Sequence, residues 1–190
     1  MSRLEDELEV YARHVMALFW PNKFAPVLIA DKNEPGGVDG WSDDDLRLLV
    51  DEGRRQLDRQ HDDLERIRGR SQVLLALGLA LEGSIASLQS QLTTHAPCWV
   101  WAIWALALLT GGWSILGAGA TSAVRADMEI IHSAVMSRRD GPALPQLAKD
   151  YAGMTKQGEN QLATRLTNLR YAVVWLLIAA LLGLVSWLAV

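Results

Sequence analysis

Long uncharged apolar stretches dominate the chain beyond residue 70. Between Arg70 and Arg125 the only charged side chain is Glu82. A bilayer core about 30 Å thick needs roughly 20 predominantly apolar helical residues. Residues 71–92, 98–120 and 171–190 each meet that length, and Pro97 lies in the break between the first two. The pattern therefore predicts a transmembrane helical hairpin followed by a third span.

Mainly apolar residues at three- and four-residue spacing lead into the first span and continue through it in phase. Ser42 and the aspartates after it are typical of a helix start, because they cap free backbone donors and complement the helix dipole. The spacing predicts one helix from 42 to 92, whose narrow seam fits a coiled-coil partner in the same chain or in a second copy. The seam consists of Leu46, Val50, Gly53, Leu57, Gln60, Leu64, Ile67, Ser71, Leu74, Gly78, Leu81, Ile85, Leu88 and Leu92.

Amphipathic patterns predict further helices on either side. Residues 2–19 form a short helix with an acidic face, and we expect its apolar face to pack against cytoplasmic helices. The second span continues as a helix to about residue 139, and another helix begins near Pro145 and enters the third span. The apolar face of the first helix consists of Leu4, Leu8, Tyr11, Val15 and Leu18.

The predicted fold is all-α: a three-span helical membrane protein whose long helices extend into a cytoplasmic helical stalk. Residues 1–41 form an N-terminal segment that combines the amphipathic helix with a Pro/Gly-rich loop. Residues 42–190 form the helical membrane domain.

Charge predicts the orientation. Residues 1–70 hold 16 Asp and Glu against 11 Lys and Arg, and the chain has 14 Arg against 4 Lys, a bias of GC-rich bacterial genomes. Arginines flank one end of every span, whereas the turn before Cys98 has no Lys or Arg. Because positive residues stay inside, the N-terminus should be cytoplasmic and the C-terminus outside, in a bacterial inner membrane. An aromatic belt at the outer interface consists of Trp99, Trp101, Trp104 and Trp187.

Glu82 is the candidate functional residue, because a carboxylate near the middle of a span normally faces protein or water. Gln89 and Thr93 share its helical face, so the outer half of the first span carries a polar stripe above an apolar inner half. A pore lined by these residues would have a hydrophobic constriction that gates by dewetting. The alternative is a protonated Glu82 that hydrogen-bonds a neighbouring helix.

Small residues at four-residue spacing predict close helix packing, since they let backbones approach in lipid. This packing lies within the three-span unit or between copies, and we expect a homo-oligomer. The predicted packing residues are Ser84 in the first span and Thr110, Ser114, Ala118 and Ser122 in the second.

The sequence carries no complete pattern of the kind that enzymatic chemistry or metal binding needs. Asp31-x-Asn33-x-x-Gly36-x-x-Asp39 partly matches a calcium loop, but Pro35 and Ser42 stand at two of its ligand positions. The histidines of the chain share no metal-ligand spacing with one another or with Cys98. It has no glycine-rich phosphate loop and no nucleophile elbow. The acidic N-terminal region lacks a basic stripe for nucleic acid. We therefore expect no enzyme activity, no cofactor, no metal site and no nucleic-acid partner.

The order of these features resembles a group of bacterial membrane proteins. An arginine-rich segment, Leu57-Asp58-Arg59 through Arg66-x-Arg68-x-Arg70, leads into the hairpin, and a helix with Glu159-Asn160 precedes the last span. Over roughly residues 45–190 this layout resembles the small SLATT and Pycsar-type transmembrane effectors of phage-defence systems. The resemblance implies an oligomer that permeabilises or depolarises the inner membrane on receiving a signal.

Two functions follow from these patterns. The first is the oligomeric, membrane-permeabilising effector, with Glu82, Gln89 and Thr93 facing the path. The second is a membrane-anchored protein without a pore, such as a prophage exclusion factor, whose residues 1–70 bind a cytoplasmic protein partner.

Overall fold

The structure, a computed structural model, describes residues 3–20, 37–38, 40–92, 96–123 and 143–189, and every regular element in these ranges is helical. The helices are α1 (Arg3–Phe19), α2 (Asp43–Ser87), α3 (Cys98–Ala123) and α4 (Ala143–Leu188), and a short 3₁₀ helix, Leu88–Ser90, follows α2. The predicted all-α class is confirmed for these residues. The Pro/Gly-rich loop and the helical continuation after the second span lie outside the described residues.

Three helices, α2 with its 3₁₀ extension, α3 and α4, are long and apolar enough to cross a membrane. Helices α2 and α4 have 45 and 46 residues. At a rise of about 1.5 Å per residue, each is more than twice as long as the roughly 30 Å hydrocarbon core is thick. Both helices are therefore several turns longer than a membrane-spanning segment needs to be.

The start of α2 is set by Ser42 and Asp45. The Ser42 hydroxyl accepts a hydrogen bond from the Asp45 backbone N–H at 3.3 Å and donates one to the Asp45 carboxylate at 2.6 Å. These bonds satisfy one of the free donors at the helix start, and Asp43, Asp44 and Asp45 complement the helix dipole. The helix predicted for residues 42–92 thus begins where its capping pattern indicated, but its predicted end is wrong, because the α-helix ends at Ser87 and the 3₁₀ helix follows.

The described residues divide into two compact units. The first combines α1, α3, α2 from Ile67 onward and α4 from Arg165 onward. Its core holds Leu74, Ala118 and Ala172, one residue from each candidate span, together with Tyr11 and Val15 of α1. The Ser114 hydroxyl donates to the Ala172 carbonyl at 2.6 Å, which joins α3 to α4.

The second unit combines α2 up to Arg66 with α4 up to Thr164. Here Gly53 lets the Tyr151 ring approach the α2 backbone, since a β-carbon on Gly53 would lie 3.0 Å from Tyr151 Cβ. The Gln60 amide donates to the Thr155 carbonyl at 3.0 Å, and Gly158 leaves room for it. An apolar cluster that includes Leu46, Val50 and Ala148 completes this core.

Every position of the predicted α2 seam is buried or half-buried. Its partners within each unit are helices of this chain, as the contacts of Gly53 with Tyr151 and of Gly78 with Ile115 show. Close packing of the helix backbones at these glycines explains why small residues interrupt the apolar seam.

Candidate functional site

The Glu82 carboxyl group lies where all three candidate spans meet. A β-carbon on Gly111 of α3 would overlap the Glu82 carboxyl group and would lie 3.3 Å from Ala179 Cβ of α4. The Oε1 atom of Glu82 is buried and has no hydrogen-bond partner within the described part of the chain. The carboxyl group therefore fills the notch that the missing side chain of Gly111 leaves.

The predicted packing residues of α3 lie inside the first unit. Thr110, Ser114 and Ala118 are buried, and Ser122 is half-buried. The Thr110 hydroxyl donates to the Leu106 and Ala107 carbonyls of its own helix at 2.9 and 3.0 Å, so it is not directed to Glu82. The Ser114 hydroxyl instead bridges to α4, as described above.

The other predicted site residues do not gather around Glu82. Gln89 and Ser84 are exposed, and Thr93 lies outside the described residues. The Ser84 hydroxyl donates to the Ala80 carbonyl of its own helix at 2.9 Å. The assignments of Glu82, Gln89 and Thr93 to a path therefore stay predictions.

One exposed face of α2 changes from apolar to polar along the predicted span. At 100° per residue its members fall within an arc of about 80°. The three nearest the N-terminus are apolar, and the two further along are polar. The serine hydroxyls on this face bond to backbone carbonyls of the same helix, so they leave no donor unsatisfied. The face consists of Val73, Leu77, Ala80, Ser84 and Ser87, all exposed.

A second buried polar cluster, which the sequence patterns did not reveal, lies in the same unit. Arg165 is 3% exposed and donates from its guanidinium to the Thr121 carbonyl at 3.0 Å. His14 of α1 is 4% exposed, and burial together with the neighbouring Arg165 charge lowers the pKa of His14 to about 4. His14 is therefore neutral at physiological pH. Asn168, one turn from Arg165, is also buried.

Tyr11 docks α1 against α3 in the first unit. Its hydroxyl donates to the Trp113 carbonyl at 3.0 Å and lies against Gly117, where a side chain would overlap it. Burial raises the pKa of Tyr11, so the hydroxyl stays protonated and remains a donor. The spacing of Tyr11 and Val15 predicted a buried face on α1, but Leu8, assigned to that face, is 43% exposed. His14 and Val10 occupy the buried face instead.

The described residues contain no group of three or more His, Cys, Asp or Glu side chains placed to hold a metal ion. Comparisons with protein families, curated proteins and solved structures give no match for this chain. The fold and the site thus define an all-helical protein with three helices able to span a membrane and an acidic side chain at the junction of those helices.

Proposed function

We propose that this protein is an integral membrane effector that assembles from several copies and permeabilises or depolarises the bacterial inner membrane, in phage defence. The supporting observation is the Glu82 carboxyl group at the junction of three candidate spans, with a buried oxygen that no described group contacts by hydrogen bonding. Acidic groups in the bilayer cost about 2.5–3.5 kcal/mol on insertion scales and mark ion or substrate paths. The N-terminus is cytoplasmic and the C-terminus is outside.

In this proposal the arrangement described above is the closed state of the effector. Gly111 and Ala179 lie against the Glu82 carboxyl group, whose Oε1 atom is buried, so in this proposal water reaches that oxygen only when α2 separates from α3 or α4. Separation would bring the carboxylate into contact with water, which removes the desolvation penalty of the charged form. Glu82 thus favours the open arrangement, and the close helix packing around Gly111 favours the closed one.

The path itself requires more than one copy. The centre of the three-span unit is filled by side chains such as Ala107, Ser114 and Ala172, which are fully buried. In this proposal the path runs along the side of α2 that carries Glu82 and Gln89 when copies assemble. The apolar inner half of the first span, Val73 to Leu81, forms a hydrophobic constriction that gates by dewetting.

Membrane potential in bacteria overproducing the protein tests this function. We expect the wild type to depolarise the membrane. Glu82→Leu should remove that effect at equal protein level, because the leucine side chain is apolar, fills the junction and carries no charge. Glu65→Leu is the matched control, since Glu65 is an exposed residue of the same helix outside the span. Depolarisation that persists in Glu82→Leu would refute the assignment of Glu82.

A groove in the second unit favours the other function, a membrane-anchored protein that binds a cytoplasmic partner through residues 1–70. Trp41 and Leu48 are 47% and 70% exposed and line this groove together with the acidic Asp45 and Glu52. Exposed large apolar side chains with a polar rim are typical of protein interaction sites.

Surface variants distinguish the two functions better than truncation does. Deletion of residues 1–41 also removes Tyr11 and Val15 from the core of the first unit, so it alters the fold as well as the surface. If the partner-binding function is correct, Leu48→Ser abolishes the biological function of the protein, whereas Glu82→Leu leaves that function unchanged. The opposite result supports the permeabilising effector.

A further inference from the structure

Helix α1 is held against helices that are candidate membrane spans. Tyr11 and Val15 are each 1% exposed and pack with Leu74, Ala118 and Ala172, which belong to the three candidate spans. The Tyr11 hydroxyl bonds to the Trp113 carbonyl, ten residues before the end of α3. These contacts place α1 beside the spans, at the level of their cytoplasmic halves in the proposed topology.

From residue 6 onward, the exposed side chains of α1 form two strips. The apolar strip consists of Leu8, Met16 and Phe19, which are 43%, 37% and 54% exposed. At 100° per residue these three positions fall within an arc of about 80°. The charged strip consists of Asp6, Glu9 and Arg13, all exposed, and within it Arg13 and Glu9 form an ion pair at 2.7 Å.

We propose that the apolar strip of α1 inserts into the acyl-chain region of the inner leaflet next to the spans, so that α1 is an interfacial helix and not a cytoplasmic one. This inference rests on the membrane insertion proposed above. A helix with one apolar and one charged side is suited to the boundary between headgroups and acyl chains. The docking through Tyr11 fixes that helix at the required depth.

The lipid partner is defined by apolar contact and not by headgroup charge. Residues 3–19 contain four acidic residues and two arginines, so α1 carries surplus negative charge and does not attract anionic headgroups. The strip has bulky side chains, whereas helix contacts between proteins in lipid favour small residues. Acyl chains therefore suit this strip better than a second copy does.

Fluorescence quenching in the full-length protein tests this location. In a Cys98→Ser background, Leu8→Cys and Asp6→Cys place a bimane probe on the apolar and the charged strip, two residues apart. The protein is reconstituted in phosphatidylcholine vesicles with or without spin-labelled lipid, and iodide serves as the aqueous quencher. Leu177→Cys, an exposed position of the third candidate span, shows whether the spans themselves are inserted.

We expect spin-labelled lipid to quench the probes at positions 8 and 177 severalfold more strongly than the probe at position 6, and iodide to show the reverse order. Replacing a third of the lipid by an anionic phospholipid should leave this order unchanged. Quenching at 177 but strong iodide quenching at 8 would overturn the interfacial location and leave the spans intact. A disulfide between Leu8→Cys copies would overturn it in favour of a second copy. Absence of lipid quenching at 177 would overturn the membrane insertion itself, and with it this inference.

Discussion

Adding a methyl group at Gly111 should open the junction that encloses Glu82. A β-carbon there overlaps the Glu82 carboxyl group and lies 3.3 Å from Ala179 Cβ, so at least one neighbour must move. The carboxyl group is the end of a flexible side chain and moves most easily. It then leaves the notch, and the packing of α2 against α3 is weakened.

The size of this effect follows from overpacking. Extra methyl groups in a well-packed interior typically cost about 1–3 kcal/mol. If opening relieves that strain, the open population rises about 5- to 150-fold. Gly111→Ala also gains up to about 1 kcal/mol of helix propensity, which partly offsets the cost.

Gly112→Ala is the matched control, because it gains the same helix propensity while nothing lies within 4 Å of its added β-carbon. The assay compares thermal unfolding in detergent and membrane potential in cells for the two variants at equal protein level. We expect Gly111→Ala to unfold at lower temperature and to depolarise cells more strongly. The double variant Gly111→Ala, Glu82→Ala should unfold at the temperature of Gly112→Ala, because the shorter side chain removes the overlap. It should not depolarise cells, because the Glu82 carboxylate is absent. Identical behaviour of Gly111→Ala and Gly112→Ala would refute the closed junction.

Three further predictions concern α1 and the topology. Gly117→Ala should displace the Tyr11 ring and lower stability by about 1–3 kcal/mol relative to Gly119→Ala, whose β-carbon meets an ordinary contact at 3.8 Å; equal thermal unfolding midpoints would contradict the docking of α1. The free energy of unfolding should fall by about 3 kcal/mol as pH drops from 6.5 towards 4, because the unfolded chain protonates His14 before the folded chain does. A His14→Gln variant whose free energy of unfolding has the same pH slope would contradict this. An impermeant maleimide should label Cys98, which is free and exposed, in intact spheroplasts; labelling only after lysis would reverse the topology.

The sequence predicted the α2 seam because its residues repeat at helical spacing over the whole helix. Gly53, Gln60 and Ser71 were included in that seam on spacing alone, and all three are buried. A local period determines which side of a helix faces its neighbours. It therefore predicts burial well, even for residues whose type is not apolar.

Tertiary contacts explain what the sequence did not reveal. Arg165 follows the pattern of a charged residue at a membrane boundary, yet it is buried because the Thr121 carbonyl of another helix accepts its hydrogen bond. On α4 the apolar Leu166 is 41% exposed, whereas the polar Asn168 is buried. Small and polar side chains pack between helices in lipid, so apolar character alone does not indicate the inner face.

The position of Glu82 illustrates the same limit at the candidate site. Its place in the middle of a predicted span was evident from the sequence. Its contact with Gly111, and not with Gly112, depends on the rotation of α3 about its own axis. That rotation is set by the packing of three helices together, which no single stretch of sequence encodes.

Ion flux through the purified protein in lipid vesicles tests the central claim most directly. The claim predicts that vesicles with the wild type lose a potassium gradient faster than empty vesicles do. Vesicles with Gly111→Ala should lose it faster still, and vesicles with Glu82→Leu should lose it at the background rate. Glu65→Leu should equal the wild type. Vesicles that contain the inserted protein but hold the gradient for both the wild type and Gly111→Ala would contradict the account.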